Sequence, residues 1–162
     1  DKGSTILHCT VHKPEIMSFI LDKRVEFGVN IEKRDSNECK ALSVAAEQGA
    51  LESVVLLVTA GAAVNNIDGK TSTILHCAAE SEDIIRFILE NKKEVRPDEK
   101  DMFGHTALMK AEKKGAYNSI VLLREAVEPF NSNRQMKQQD TESNSITSLY
   151  LSMGTSKVIP NP

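Results

Sequence analysis

The sequence predicts an all-α solenoid in which short pairs of helices stack on one another. The stretch 35–68 shows the repeating unit. Residues 41–48 are small and apolar enough to form one helix, which Gly49 ends because glycine readily adopts the left-handed conformation. A second helix follows at once and ends at Gly61, and its apolar residues have the i, i+3, i+4, i+7 spacing of one buried face: Leu51, Val54, Val55 and Val58. Two helices this short need similar neighbours to bury their apolar faces.

Copies of this unit recur along the chain at a nearly constant period. Aligned on a leucine of the first helix, the starts are separated by 35, 33 and 33 residues and fall at Leu7, Leu42, Leu75 and Leu108. A period this regular, repeated in register, predicts an array of supersecondary units.

The shared motifs resemble the ankyrin repeat, a unit of one hairpin-like turn and two helices. They are the Thr-x-Leu-His-x-Ala start at Thr73, a glycine between the helices, the Gly-Ala-x-Val-Asn exit from Gly61, and an aspartate before the next start. The resemblance covers about Asp1 to Phe130 and implies an ankyrin-repeat solenoid of helix-turn-helix units joined by β-hairpin-like turns. We expect repeats at about 1–34, 35–67, 68–100 and 101–130, a polar linker at 131–145, and a tail at 146–162. For this tail a degenerate repeat start, a capping segment and a peptide folded onto the stack remain open.

The four repeats differ in detail. In the first and third, the second helix arrives two residues early, around Glu15–Leu21 and Ile84–Leu89, which predicts a shortened turn between the helices. The charged exit at 90–100 compensates for this in the third repeat, and we expect an exposed loop there. The first helix of the fourth repeat is unusually polar, as expected near a solvent-facing end of an array.

Composition limits the function classes. The chain has 162 residues, of which 40% are hydrophobic, 27% charged and 4% aromatic, with no Trp. These values are typical of a single ordinary domain packed from aliphatic residues. The net charge of -3 argues against a general affinity for nucleic acid or an anionic membrane, and no apolar run is long enough to span a bilayer. We therefore expect no nucleic-acid partner and no membrane insertion. We also expect a monomer.

Three cysteines, Cys9, Cys39 and Cys77, make an odd count in a sequence without a recognisable signal peptide. This favours a reducing, intracellular compartment, cytoplasm or nucleus. The sequence opens on Asp1 within a repeat's turn, so it can equally be part of a longer protein.

Candidate chemistry is sparse. The pairs His8-Cys9 and His76-Cys77 contain soft metal ligands, but they occupy one position in repeats two units apart, too far to share an ion ligated at about 2 Å. We expect the histidines to bond backbone in the turns, as the resemblance implies, and the cysteines to act as small core residues. No phosphate loop or catalytic motif is present, so we expect a non-enzymatic protein without cofactor or metal.

Two further features have alternative readings. Lysines 92, 93, 110, 113 and 114 suit an acidic partner or simply a solvated end of the array. Asn65 matches an asparagine that is sometimes hydroxylated in ankyrin-like proteins, and a side chain that bridges its turn is the plainer role.

The remaining candidate is the surface. In ankyrin-like proteins, partners meet the concave face formed by the turn tips and the outward positions of the first helices. The equivalent residues in this chain are Ser36, Asn37, Cys39, Glu47, Gln48, Gly69, Lys70, Ser72, Glu80, Ser81, Met102, Phe103, His105, Lys113 and Lys114, with Lys2, Ser4, His12 and Lys13 in the first repeat.

We predict a protein–protein interaction module that binds another protein through this face, as an adaptor, scaffold or inhibitor of a signalling or transcription protein. The alternative is a targeting or regulatory segment of a larger enzyme, channel or secreted effector. Met102 and Phe103 are the expected anchors, because an apolar pair at a turn tip suits an interface. The competing reading is that they pack on the tail or on the preceding exit loop.

Overall fold

The computed structural model describes residues 5–65, 67–91 and 94–127, which belong to a compact unit, Asp1–Val127. Within these residues the chain forms pairs of helices and no sheet. The helices are α1 Ile6–Cys9, α2 Pro14–Asp22, α3 Ala41–Glu47, α4 Leu51–Thr59, α5 Ile74–Cys77, α6 Glu82–Asn91 and α7 Ala107–Lys114, and α8 occupies residues 117–127 of the described chain. The predicted all-α fold is confirmed. The predicted linker and tail, 131–145 and 146–162, lie outside the described residues.

The helices stack in two rows. The first helices α1, α3, α5 and α7 contact one another in chain order, and the second helices α2, α4 and α6 do the same. The leucine that defines the period points into the space between the rows, where Leu7, Leu42 and Leu75 are fully buried. Each helix pair therefore buries its apolar face mainly against the pairs before and after it, as in other repeat arrays.

The first and third repeats are short because of their first helices. Helices α1 and α5 have 4 residues each, whereas α3 has 7 and α7 has 8. The sequence predicted a shortened turn between the two helices of these repeats, but much of the shortening is in the first helix itself. The two longer helices are followed by glycines in the left-handed conformation, Gly49 with φ 67° and Gly115 with φ 68°, and the short helices lack such a residue.

Two details of packing differ from the prediction. In α4 the buried apolar residues are Val54, Leu57 and Val58, while Leu51 and Val55 are only half-buried. Leu57 is buried because α4 contacts both α2 and α6 as well as α3. The expected exposed loop at 90–100 is also partly wrong. Helix α6 continues to Asn91, and Val95 and Pro97 are buried, whereas the exit is exposed at Glu94, Arg96, Glu99 and Lys100.

Candidate protein-binding surface

An aspartate organises each hairpin-like turn. The Asp68 carboxylate accepts backbone N–H bonds from Lys70 at 2.8 Å and from Ser72 at 2.9 Å. The Asp35 carboxylate accepts the same pair of bonds from the backbone N–H groups of Asn37 and Cys39. The Asp101 carboxylate accepts them from Phe103 and His105. The turns close through isolated antiparallel bridges, Arg34 with Lys40 and Lys100 with Thr106. The chain thus forms the hairpin-like turns that the resemblance implies, without an extended sheet in the described residues.

Two of these carboxylates, Asp35 and Asp101, are held in the charged form. Burial by itself raises the pKa of Asp101, but the backbone N–H groups of His105 and Phe103 and the Lys110 ammonium, whose Nζ lies 3.1 Å from Oδ2, hold that pKa below its ordinary value. At Asp35, burial is likewise outweighed by the N–H groups of Cys39 and Asn37. The turns at Asp35 and Asp101 are therefore stabilised by a charged carboxylate at neutral pH.

Backbone hydrogen bonds link neighbouring turns. The Met102 amide donates to the Lys70 carbonyl, and the Lys40 amide donates to the Ile67 carbonyl, both at 3.0 Å. Gly69 lies so close to the preceding turn that a Cβ at this position would come within 2.8 Å of the Glu38 Cβ. The tips form a continuous, fixed edge, which is a good base for an interface.

Most of the predicted tip residues face solvent. Ser36, Asn37 and Lys70 are exposed, and Met102 and Phe103 have 61% and 60% of their surfaces accessible. The Phe103 ring lies 6.4 Å from the His105 ring, which is also exposed. The apolar pair is therefore not covered by the described part of the exit loop. Packing on the tail lies outside the described residues.

The expectation that Ser72 is exposed is wrong. It was expected at the exposed tip, but it is fully buried. Its position matches Cys39 and His105 in the adjacent turns. Because the third turn is enclosed between two others, a side chain as short as serine's does not reach solvent there, whereas the histidine in the fourth turn does.

The predicted positions on the first helices are also largely exposed. Glu47, Gln48, Glu80, Lys113 and Lys114 face solvent, and Ser81 is half-buried. In the first repeat, His12 and Lys13 are exposed, and Lys2 and Ser4 lie outside the described residues.

A cleft of about 440 Å³ joins many of these residues. It lies over α5, between the longer α3 and α7, because the single turn of α5 leaves open the space that a full-length helix would fill. The cleft was not predicted from the sequence, although the early second helix of the third repeat was a signal of it. Its lining is Glu47, His76, Cys77, Ala79, Glu80, His105, Met109, Lys110, Lys113 and Lys114.

The charges around the cleft are partly paired. Lys114 Nζ lies 2.7 Å from Glu80 Oε1 across the opening, and Lys110 is held by Asp101. Met109 adds an exposed apolar side chain to the wall. The cleft thus combines apolar and charged groups, so it can receive a side chain with an apolar body and a polar end.

The histidines bond backbone, as expected. His76 Nδ1 accepts from the Thr73 amide at 3.2 Å, so the Nε2–H donates to the His105 carbonyl at 3.0 Å, in the next turn. His8 does the same between Thr5 and Cys39. His8 and His76 therefore each link their own repeat to the following turn.

The cysteines are not all core residues. Cys9 is exposed at the end of α1, Cys77 is half-buried at the end of α5, and Cys39 is half-buried in the turn before α3. Burial and the charges of Glu47 and Asp68 raise the pKa of the Cys77 thiol, which keeps it protonated and unreactive.

Asn65 does not bridge its turn within the described residues. Its Oδ1 is buried and has no hydrogen-bond partner there. Asn30, at the matching position, accepts the Glu32 amide at 2.9 Å. The described residues also contain no group of three or more His, Cys, Asp or Glu side chains arranged to hold a metal ion.

Comparison with known proteins agrees with this architecture. Residues 61–136 match the family model "Ankyrin repeats (3 copies)". A solved structure described as the ankyrin repeat domain of Bcl-3, a unique member of the IkappaB protein family, superposes with a TM-score of 0.69 at 24% identity. The match covers 77% of this chain and 57% of that chain, so this chain spans little more than half of that domain. Among proteins of curated function, no significant match exists.

Fold and turn geometry define a helical repeat protein. Residues 61–136 match the ankyrin-repeat family model, and the described residues have the fold of an ankyrin-repeat solenoid. Ankyrin repeats generally mediate protein–protein interaction and are typically non-catalytic. Among the described residues, no helix has the length and apolar character needed to cross a membrane.

Proposed function

We propose that this chain is a non-enzymatic module that binds another protein through the turn tips and the cleft over α5. The observation that carries the proposal is the fourth turn, where Met102 and Phe103 are apolar, exposed and fixed by backbone bonds beside that cleft. A rigid aromatic anchor loses little conformational entropy on binding, and such anchors dominate interface energetics.

The partner contributes a segment whose apolar side chain packs on Phe103 and Met109, with polar groups that meet the charged rim. The role is that of an adaptor, scaffold or inhibitor of a signalling or transcription protein, exerted as a monomer within the cell. Cys9, Cys39 and Cys77 are free thiols, which supports a reducing compartment.

The test compares partner affinity and stability of a Met102→Ser, Phe103→Ser double variant. A partner is first isolated on the full chain, and its Kd is then measured for each variant. We expect Kd to rise about 30-fold, equivalent to about 2 kcal/mol, while the melting temperature is unchanged.

A matched control removes two exposed aliphatic or aromatic side chains elsewhere, Val25→Ser with Tyr117→Ser. This control should keep the affinity of the original chain. Equal affinity of the tip variant and this control, or a clear fall in the melting temperature of the tip variant, would reject the tip as the interface.

A further inference from the structure

The end of the stack formed by the first repeat exposes an apolar face. Ile6 of α1 is 54% exposed, and Ile16 of α2 is 47% exposed. We call these two residues the N-terminal end face.

The other three repeats bury the positions that match Ile6 and Ile16. Ile6 corresponds to Ala41, Ile74 and Ala107, which are 1%, 0% and 1% exposed. Ile16 corresponds to Ser53, Ile84 and Ser119, which are 1%, 0% and 1% exposed. The preceding helix pair covers them, as shown by Ser53 Oγ, which donates to the Val11 carbonyl at 2.5 Å.

The opposite end of the described stack is built differently. Glu112 occupies the position of the buried Ala46 and Ala79, and Arg124 that of the buried Val58. The two charged side chains pair with each other at 2.8 Å. Arrays keep a polar outer face on a repeat that ends in water, and the first repeat lacks this feature at Ile6 and Ile16.

We propose that the N-terminal end face is a stacking surface, covered by a further helix-turn-helix repeat that packs on α1 and α2 as these helices pack on α3 and α4. Continuity with the internal interfaces carries this proposal, since the same positions make the contact in each later repeat. The covering repeat belongs to the same polypeptide, because consecutive repeats of this chain stack in chain order. A second copy stacked end to end would have to bury the Glu112–Arg124 pair, which is costly.

The test is to fuse one consensus ankyrin repeat ahead of residue 1 of the full chain. If the face is a stacking surface, the melting temperature rises by about 5 °C or more. Amide hydrogen exchange in α1 and α2 slows as well, because these helices gain an apolar neighbour.

Two variants make the result specific. Ile6→Glu with Ile16→Glu should leave the melting temperature of the unfused chain nearly unchanged, because both side chains are exposed, and should abolish the gain in the fusion. The matched control, Tyr117→Glu with Val121→Glu on α8, should retain the gain.

Three outcomes would overturn the proposal. One is a fusion that melts at the same temperature as the unfused chain, and another is a gain that survives the Ile6→Glu, Ile16→Glu change. The third is sedimentation of the unfused chain as a dimer that this double change dissociates, which would assign the face to a second copy.

Discussion

At the scale of single residues, His76 joins two repeats with one side chain. Its ring accepts a bond from its own turn and donates one to the next, an arrangement that requires the neutral ring with the proton on Nε2. Burial lowers the pKa of His76, and the neighbouring Lys110 charge acts in the same direction, although the His105 carbonyl favours the protonated form. The second repeat has Ser43 at this position, whose hydroxyl bonds only to its own repeat, at the Lys40 carbonyl.

We predict that His76→Ser lowers the free energy of unfolding at pH 7.5 by about 1–3 kcal/mol, because it removes the bond between repeats. The original chain should also lose stability as pH falls below about 6.5, because its unfolded state then binds a proton more readily than the folded state does. In the variant this loss should be smaller. Chemical denaturation at several pH values measures both effects.

Ser43→Ala is the matched control, since it removes a bond within one repeat and no titrating group. Its pH dependence should equal that of the original chain. If His76→Ser also left the pH dependence unchanged, His76 would not be the group responsible.

At the scale of elements, the turns share one backbone conformation but not the residue best suited to it. The fourth position of the turn has positive φ in the three turns that the structure describes, 60° at Glu38, 57° at Thr71 and 79° at Gly104. A β-branched residue pays a steric cost there that glycine avoids. The hydrogen bonds to Asp68 hold the third turn in this conformation despite Thr71.

We predict that Thr71→Gly raises the free energy of unfolding by about 1 kcal/mol. The adjacent substitution Lys70→Gly is the control, because Lys70 does not have positive φ, and it should lower the same quantity by about 0.5–1 kcal/mol. Thermal or urea unfolding of both variants distinguishes them. A destabilised Thr71→Gly protein would show that side-chain contacts at this tip outweigh the backbone strain.

At the scale of the whole molecule, stability is the sum of repeats and of the interfaces between them. An internal repeat is covered by a neighbouring repeat on each side. Among the described residues, the fourth repeat is covered by a neighbouring repeat on one side only. The same leucine position reflects this, because Leu75 is fully buried and Leu108 only partly.

We predict that Leu75→Ala lowers the free energy of unfolding by about 2–5 kcal/mol, since it leaves a cavity between stacked helices. Leu108→Ala, at the same position of the fourth repeat, should cost clearly less. Urea denaturation followed by circular dichroism measures both. Equal losses would mean that residue 108 is as enclosed in solution as residue 75.

Much of this architecture follows from local pattern. The spacing of Leu7, Leu42, Leu75 and Leu108 predicts the repeats, because a helix pair that cannot bury its own face must repeat its apolar positions at the period of the stack. The turns are equally local, since Asp68 bonds backbone groups only two and four residues away. The exposure of Met102 and Phe103 also agreed with their place at a tip.

The tertiary structure decided what depends on neighbours distant in the sequence. Ser72 looked like any tip residue, but the turns on either side bury it. The cleft over α5 exists only because α3 and α7 are longer, and the sequence alone did not assign the missing residues to the helix. The exposure of Ile6 and Ile16 likewise depends on stacking, because an isoleucine that faces a preceding repeat and one that faces water have the same local sequence pattern.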